Sequence, residues 1–351
     1  MSSSEEGRRG EPGAETPSVP DMTASLKAKV AVSAADQADP ARLALVYDGM
    51  YERTWSGNLN ADAIRAVQQY YTGVSSGLPR PLPYADFPTP IPPGAVRLFV
   101  LFFQQLAPEL TRLASLASRD FADAVRRADA RRARVLREEA IAAGREVDEE
   151  PQGDEDAASA APVAVHVNMP SHYHVTVYMT SQPHTLRGDP FDADAAPPRD
   201  PAEAVPSPET LARELDAGRR AAAAVTAPPR LRAHKVLLAD SGTLLLCLVD
   251  VSEGAALTAL RKDLSARFPN GPPRQSTIAH VSLARILSDK PLSPAQAAAA
   301  KEACDRATAA VQGLEFVPTG IHHVQETTFT TVEGPRTFFE FGNGTEDENH
   351  K

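Results

Sequence analysis

At 351 residues the chain is long enough for one large domain or two ordinary ones, and a hydrophobic content of 42% suffices for a core. A formal net charge of −10 argues against a protein that coats nucleic acid, but not against a pocket that grips one phosphate. Two cysteines, Cys247 and Cys304, offer neither a disulfide framework nor a metal-type spacing, which suits a reducing compartment.

Residues 1–38 are rich in Ser, Glu, Gly, Pro and Ala and are expected to form a disordered tail. They carry no apolar stretch of the secretory kind, and their acidic residues do not fit a transit peptide. The apolar run Ala95–Phe103 is too short to span a bilayer. A soluble intracellular protein is therefore expected, cytoplasmic by default, with nucleus and organelle left open. From Ala41 to Thr72 apolar residues recur at helical steps (Leu43, Val46, then Ile64, Val67, Tyr70), with Asn60 placed to cap the second segment. Residues 76–94 hold seven prolines and two glycines and read as a linker or an extended wrapping segment. Together 39–94 is expected to be a helical extension with a Pro-rich link, ahead of a main domain over 95–345.

Ala95–Phe103 reads equally as a buried strand or as the opening of a helix. A helix is predicted from Pro108 to about Ala143, and its arginines from Arg126 to Arg137, balanced by acidic residues, read as a solvated face. Residues 146–160 form an acidic break, and 183–208 a long surface loop. Strands are predicted over 163–167, 173–179, 232–238, 243–251 and 277–287, with helices from Pro208, over 253–268 and from Ser293–Pro294. Strands near 314–317, 321–331 and 337–341 close the domain before a tail at 346–351. Hairpins interspersed with helices indicate α+β rather than a doubly wound parallel sheet.

One pattern occurs twice. His174-Val175-Thr176-Val177 and His280-Val281-Ser282-Leu283 each place an imidazole and a hydroxyl two residues apart in an extended-looking apolar run. In a strand, such residues share a face. On that reading His172, His174, Thr176 and Tyr178 line one surface, and Tyr173, Val175, Val177 and Met179 the other. Two imidazoles across a cleft form an acid–base pair, because an ordinary pKa near 6.5 lets one be neutral and the other protonated. A ribose phosphodiester or cyclic phosphate suits them: one histidine takes a proton from water or a 2′-hydroxyl while the other protonates the departing oxygen. Thr176 and Ser282 would then donate hydrogen bonds to the non-bridging oxygens.

These motifs resemble the paired His-x-Thr/Ser-x signatures of the two-histidine (2H) phosphoesterases, which include 2′–5′ RNA ligase-like proteins and cyclic phosphodiesterases. The hairpin at 232–251, its following helix and Ala279–Arg285 are similar to the second lobe of that fold, and Val96–Val100 to its opening strand. The resemblance implies two lobes related by pseudo-symmetry, each an antiparallel sheet with flanking helices, and a cleft between them. It implies catalytic His174 and His280, phosphate-binding Thr176 and Ser282, no metal and no cofactor. A nucleotide or RNA-end substrate is expected, with no membrane partner. Nothing before residue 90 is covered.

Other readings remain open. A lone histidine is more often satisfied by a backbone partner than catalytic. An H-x-H metal pair, His172 with His174, lacks a third ligand at a matching spacing. His322 and His323 read as strand-edge residues, and Tyr178 and Phe268 as core rather than base-stacking groups. From a different class, the same fold could serve as a non-catalytic nucleotide or RNA-end binding module, or the 40–72 segment as a scaffold.

Overall fold

The computed structural model describes residues 32–57, 59–103, 107–142 and 163–342. Among the described residues there are seven α-helices: α1 (Ala34–Ala38), α2 (Pro40–Ser56), α3 (Ala61–Gln68), α4 (Pro108–Ala142), α5 (Pro208–Ala223), α6 (Ala256–Arg267) and α7 (Pro294–Val311). The strands are β1 (Tyr71–Thr72), β2 (Arg80–Pro81), β3 (Val96–Phe102), β4 (Val165–Val167), β5 (His174–Ser181), β6 (Leu231–Leu238), β7 (Thr243–Asp250), β8 (Ala279–Ile286), β9 (Glu315–Phe316), β10 (Gly320–Glu326) and β11 (Arg336–Glu340). Helix starts follow side chains that take up free backbone N–H groups. Asp39 accepts from Ala41 and Arg42, Asn60 from Ala63, and Ser207 from Thr210. Ser293 and Gln296 form a reciprocal capping box, with Pro294 opening α7.

Every ladder among the described residues is antiparallel, so the α+β expectation holds. Four strands form a sheet in the order β11-β10-β3-β5, and five another in the order β4-β8-β7-β6-β9. The apolar run at 96–102 resolves as strand β3, buried along nearly its whole length. Continuous burial on both faces leaves no period-2 pattern to read. Strand β7, TLLLCLVD, is buried at every position for the same reason. Cross-strand partners share a face, which sorts the four-stranded sheet. Phe99, Val175, Val177 and Tyr178 join the main core beneath α5 and α6, whereas Leu98, Val100, Phe102 and Met179 lie with Val324 and Val332 on the other side.

Three expectations change. The tail predicted through residue 38 carries α1 over its last part, and Val32 is buried; residues 1–31, the acidic break at 146–160 and the tail at 346–351 lie outside the described residues. The Pro-rich segment is a packed strap: Tyr84, Phe87 and Ile91 are buried with Tyr70, Tyr71 and Phe329. The 183–208 loop is tied inward by Arg97 of β3, which donates to the carbonyls of Arg187 and Ala204 and to the Glu214 carboxylate. Arg97 and Glu214 are both fully buried. Burial alone would push the Glu214 carboxyl up; His323 and Arg97 outweigh it and hold it below the usual range.

Candidate active site

The first motif opens β5. Its register pairs His174 with Phe102 and Thr176 with Val100, then skips Val177, so that Tyr178 pairs with Phe99. That bulge turns Tyr178 to the core face, where it stacks on Phe268 at 5.8 Å and donates to the Phe268 carbonyl. His172 does not belong to the strand either. It ends a 3₁₀ turn begun by Pro170, and its Nε2 lies 3.1 Å from Glu333 Oε1. The face predicted to hold four residues thus keeps His174 and Thr176.

The second motif lies in β8, where His280 pairs with Cys247 and Ser282 with Leu245; Leu283 is skipped before Ala284 meets Leu244. Each motif is therefore followed by a bulge at the residue after its hydroxyl. A second parallel lies in the rings. His174 Nδ1 is 2.7 Å from the carbonyl oxygen of His172, and His280 Nδ1 is 3.4 Å from that of Ile278. A carbonyl only accepts, so both neutral rings carry their proton on Nδ1, which leaves Nε2 as the acceptor nitrogen.

The two motif strands pack against each other although they belong to different sheets. Arg261 of α6 joins them, its Nη2 donating to Thr176 O at 2.8 Å and Ile278 O at 3.1 Å. Burial pulls this guanidinium down to about 10, so it remains a cation at neutral pH. Asn168 adds a tie between β4 and β8, donating from its side chain to Ser282 O at 2.8 Å.

The surroundings differ. Burial pulls the His174 pKa down to about 4; the bond to His172 O opposes this, while the charges of His172 and Arg336 add to it. Phe102 stands 6.4 Å from the His174 ring and 5.0 Å from His322, and the Arg336 guanidinium lies 4.4 Å over Phe102. His322 is in β10, an interior strand, so it is not the edge residue expected; His323 faces the other way and meets Glu214 at 3.2 Å. On the second sheet, His166 pairs with Arg285, and Arg285 with Thr243, placing His166 and Arg285 on the face of His280 and Ser282. Burial lowers the pKa of both His166 and His174, and the charge of His172 adds to it in each case, so His172 lies near both rings.

Sequence reading missed Arg261, Arg336, Phe102, His322 and His166. The alternation within β10 was the one available signal, because it already separated His322 from His323. Buried polar atoms without a partner gather in this region: among the described residues, His166 Nε2, Arg261 Nε and His322 Nδ1 are three of five such atoms. Among the described residues no group of three or more His, Cys, Asp or Glu is placed to hold a metal ion. Compared with known proteins, the chain matches no family model and no curated protein.

Proposed function

We propose that the chain is a two-histidine phosphoesterase: a metal-independent hydrolase that opens a nucleotide 2′,3′-cyclic phosphate or acts on a similar RNA end. Its two sheets would be lobes related by pseudo-symmetry, with the substrate phosphate between His174 and His280. The observation that carries this reading is the repeated geometry of the motifs. Each imidazole donates Nδ1–H to the carbonyl two residues before it, and each strand bulges just after its hydroxyl.

The electrostatics favour His174 for the base. His174, neutral at physiological pH, is the general base, and its Nε2 takes a proton from the attacking water. Oxygen attacks phosphorus in line, the phosphorus–oxygen bond to one ribose oxygen breaks, and His280, left with the general-acid role, delivers a proton to that leaving oxygen. Thr176 and Ser282 donate to the non-bridging oxygens; a hydrogen bond to a charged oxygen contributes about 1.5–3 kcal/mol. Arg336 offers a cation beside His174 for the same charge. A bound phosphate anion raises the pKa of His174 and so strengthens it as a base.

The test is hydrolysis of 2′,3′-cyclic nucleotides in EDTA by wild type, His174→Ala and His280→Ala. Each variant is expected to lose about 10²–10⁴-fold in kcat, the contribution of one acid or base. Equal turnover by both variants and wild type would remove the assignment, and activity lost only on adding EDTA would replace it with metal chemistry.

A further inference from the structure

The turn between β10 and β11 forms one wall of the candidate site, and its backbone is strained. Thr330 and Val332 have φ values of 57° and 54°. Left-handed backbone is a real outlier for β-branched residues. Val332 is also completely buried, so nothing in solvent stabilises it. What holds it is Glu326, the last residue of β10. Its Oε1 accepts from the Val332 N–H at 2.7 Å, and its Oε2 accepts from the Tyr84 hydroxyl at 2.5 Å.

Tyr84 belongs to the Pro-rich strap, which grips this turn at further points. Tyr84 N donates to Thr327 O, Phe329 N to Leu82 O, and Pro83 bridges Thr328. Anchoring the strap alone would not need a buried carboxylate, since Phe87, Ile91 and Phe329 already supply apolar packing. The far side of the turn leads to the site. Val332 O accepts from Arg336 Nη2 at 2.8 Å, Glu333 Oε1 receives His172 Nε2 at 3.1 Å, and His172 O receives His174 Nδ1 at 2.7 Å.

We propose that Tyr84 and Glu326 are positioning residues, which act through the Val332–Glu333 turn and His172 to set the orientation of the His174 imidazole. A segment outside the main domain, as read from the sequence, is on this account part of the working site. The proposal rests on the reading of His174 as catalytic, and the experiment separates the two.

The full chain is compared with Tyr84→Phe and Glu326→Gln, two changes that keep shape and remove one hydrogen-bonding function each. Histidine side-chain ¹⁵N–¹H NMR follows His174, assigned by its absence in His174→Ala, and uses His234, which bonds Asp48 elsewhere, as the internal control. Both variants are expected to shift the His174 signals and leave those of His234 in place. In the 2′,3′-cyclic nucleotide assay both are expected to lower kcat about tenfold with KM within about twofold, the pattern of a misplaced catalytic group. In a His174→Ala background neither is expected to reduce the residual rate further. His174 signals unmoved in both variants overturn the proposal, as does a loss of rate that persists in the His174→Ala background. Shifted His174 signals in a protein whose wild type hydrolyses no cyclic phosphate uphold the positioning and remove only the catalytic reading.

Discussion

The strands β5 and β8 carry the same local design in opposite settings. Both fix the imidazole proton on Nδ1, and both bulge after the hydroxyl. Yet β5 is the edge strand of its sheet, with His174 beside Phe102 and within reach of the Arg336 charge, while β8 is flanked on both sides, with His280 opposite buried Cys247. Backbone geometry is thus repeated while the surroundings of the two rings differ. On the proposed reading, what would make one of these histidines the base and the other the acid is their neighbours, not their own hydrogen bonds.

The strongest way to break that division is a substrate that needs no acid. With a nucleoside 3′-(p-nitrophenyl phosphate), whose leaving group departs unprotonated, His280→Ala should recover to within about tenfold of wild type while His174→Ala stays down by about 10². Recovery of the His174 variant instead would reverse the roles. Next in size, Thr176→Ala and Ser282→Ala should each cost about tenfold or more in kcat, the value of one hydrogen bond to a charged oxygen, with Thr176→Ser close to wild type; an unaffected kcat in either alanine variant would take that hydroxyl out of the site.

The comparison also has a pH signature. The folded His174 resists protonation down to about 4, whereas the unfolded ring takes a proton near 6.5. The unfolded chain therefore binds more protons in that window, and stability falls as the pH drops through it. Urea titrations at pH 7 and pH 4.5 should show this loss in wild type and less of it in His174→Ala. Glu326 works in the opposite sense. Burial pushes its carboxyl up to about 7, above the unfolded value of 4.5, so its share of stability falls as the pH rises between the two. Glu326→Gln should flatten that slope.

The smallest effect on activity is expected for Arg97, whose side chain meets Glu214 on the face of β3 turned from His174. Arg97→Met breaks a buried pair and should cost about 3–5 kcal/mol in stability, read by urea unfolding, while kcat/KM of the folded protein stays within about threefold. A large loss of kcat/KM would mean that the two faces of β3 are coupled.

Much of the fold was legible because caps and alternation are local. Asn60, Ser293–Pro294 and the hairpin at 232–251 sit where the sequence put them. The motif hydroxyls were legible too, since one strand period places Thr176 with His174 and Ser282 with His280. Tyr178 was misplaced because a bulge is decided by the partner strand, and Phe99 and Val100 lie far back in the chain. His172 was readable in hindsight: Pro170 cannot donate to a ladder and begins a turn. Arg261 and Arg336 had no local signal at all, as each reaches the site from an element remote in sequence.

The order β11-β10-β3-β5 has a consequence for how the chain is made. Strand β3, at residues 96–102, is completed by β10, at residues 320–326, so the sheet bearing His174 cannot close until residue 326 has been made. The five-stranded sheet draws all its strands from 165–316 and is free to assemble earlier. Until then VRLFVLF presents an unpaired apolar edge, the kind of surface that recruits other nascent chains. A ribosome that stops short of β10 would release a template for aggregation.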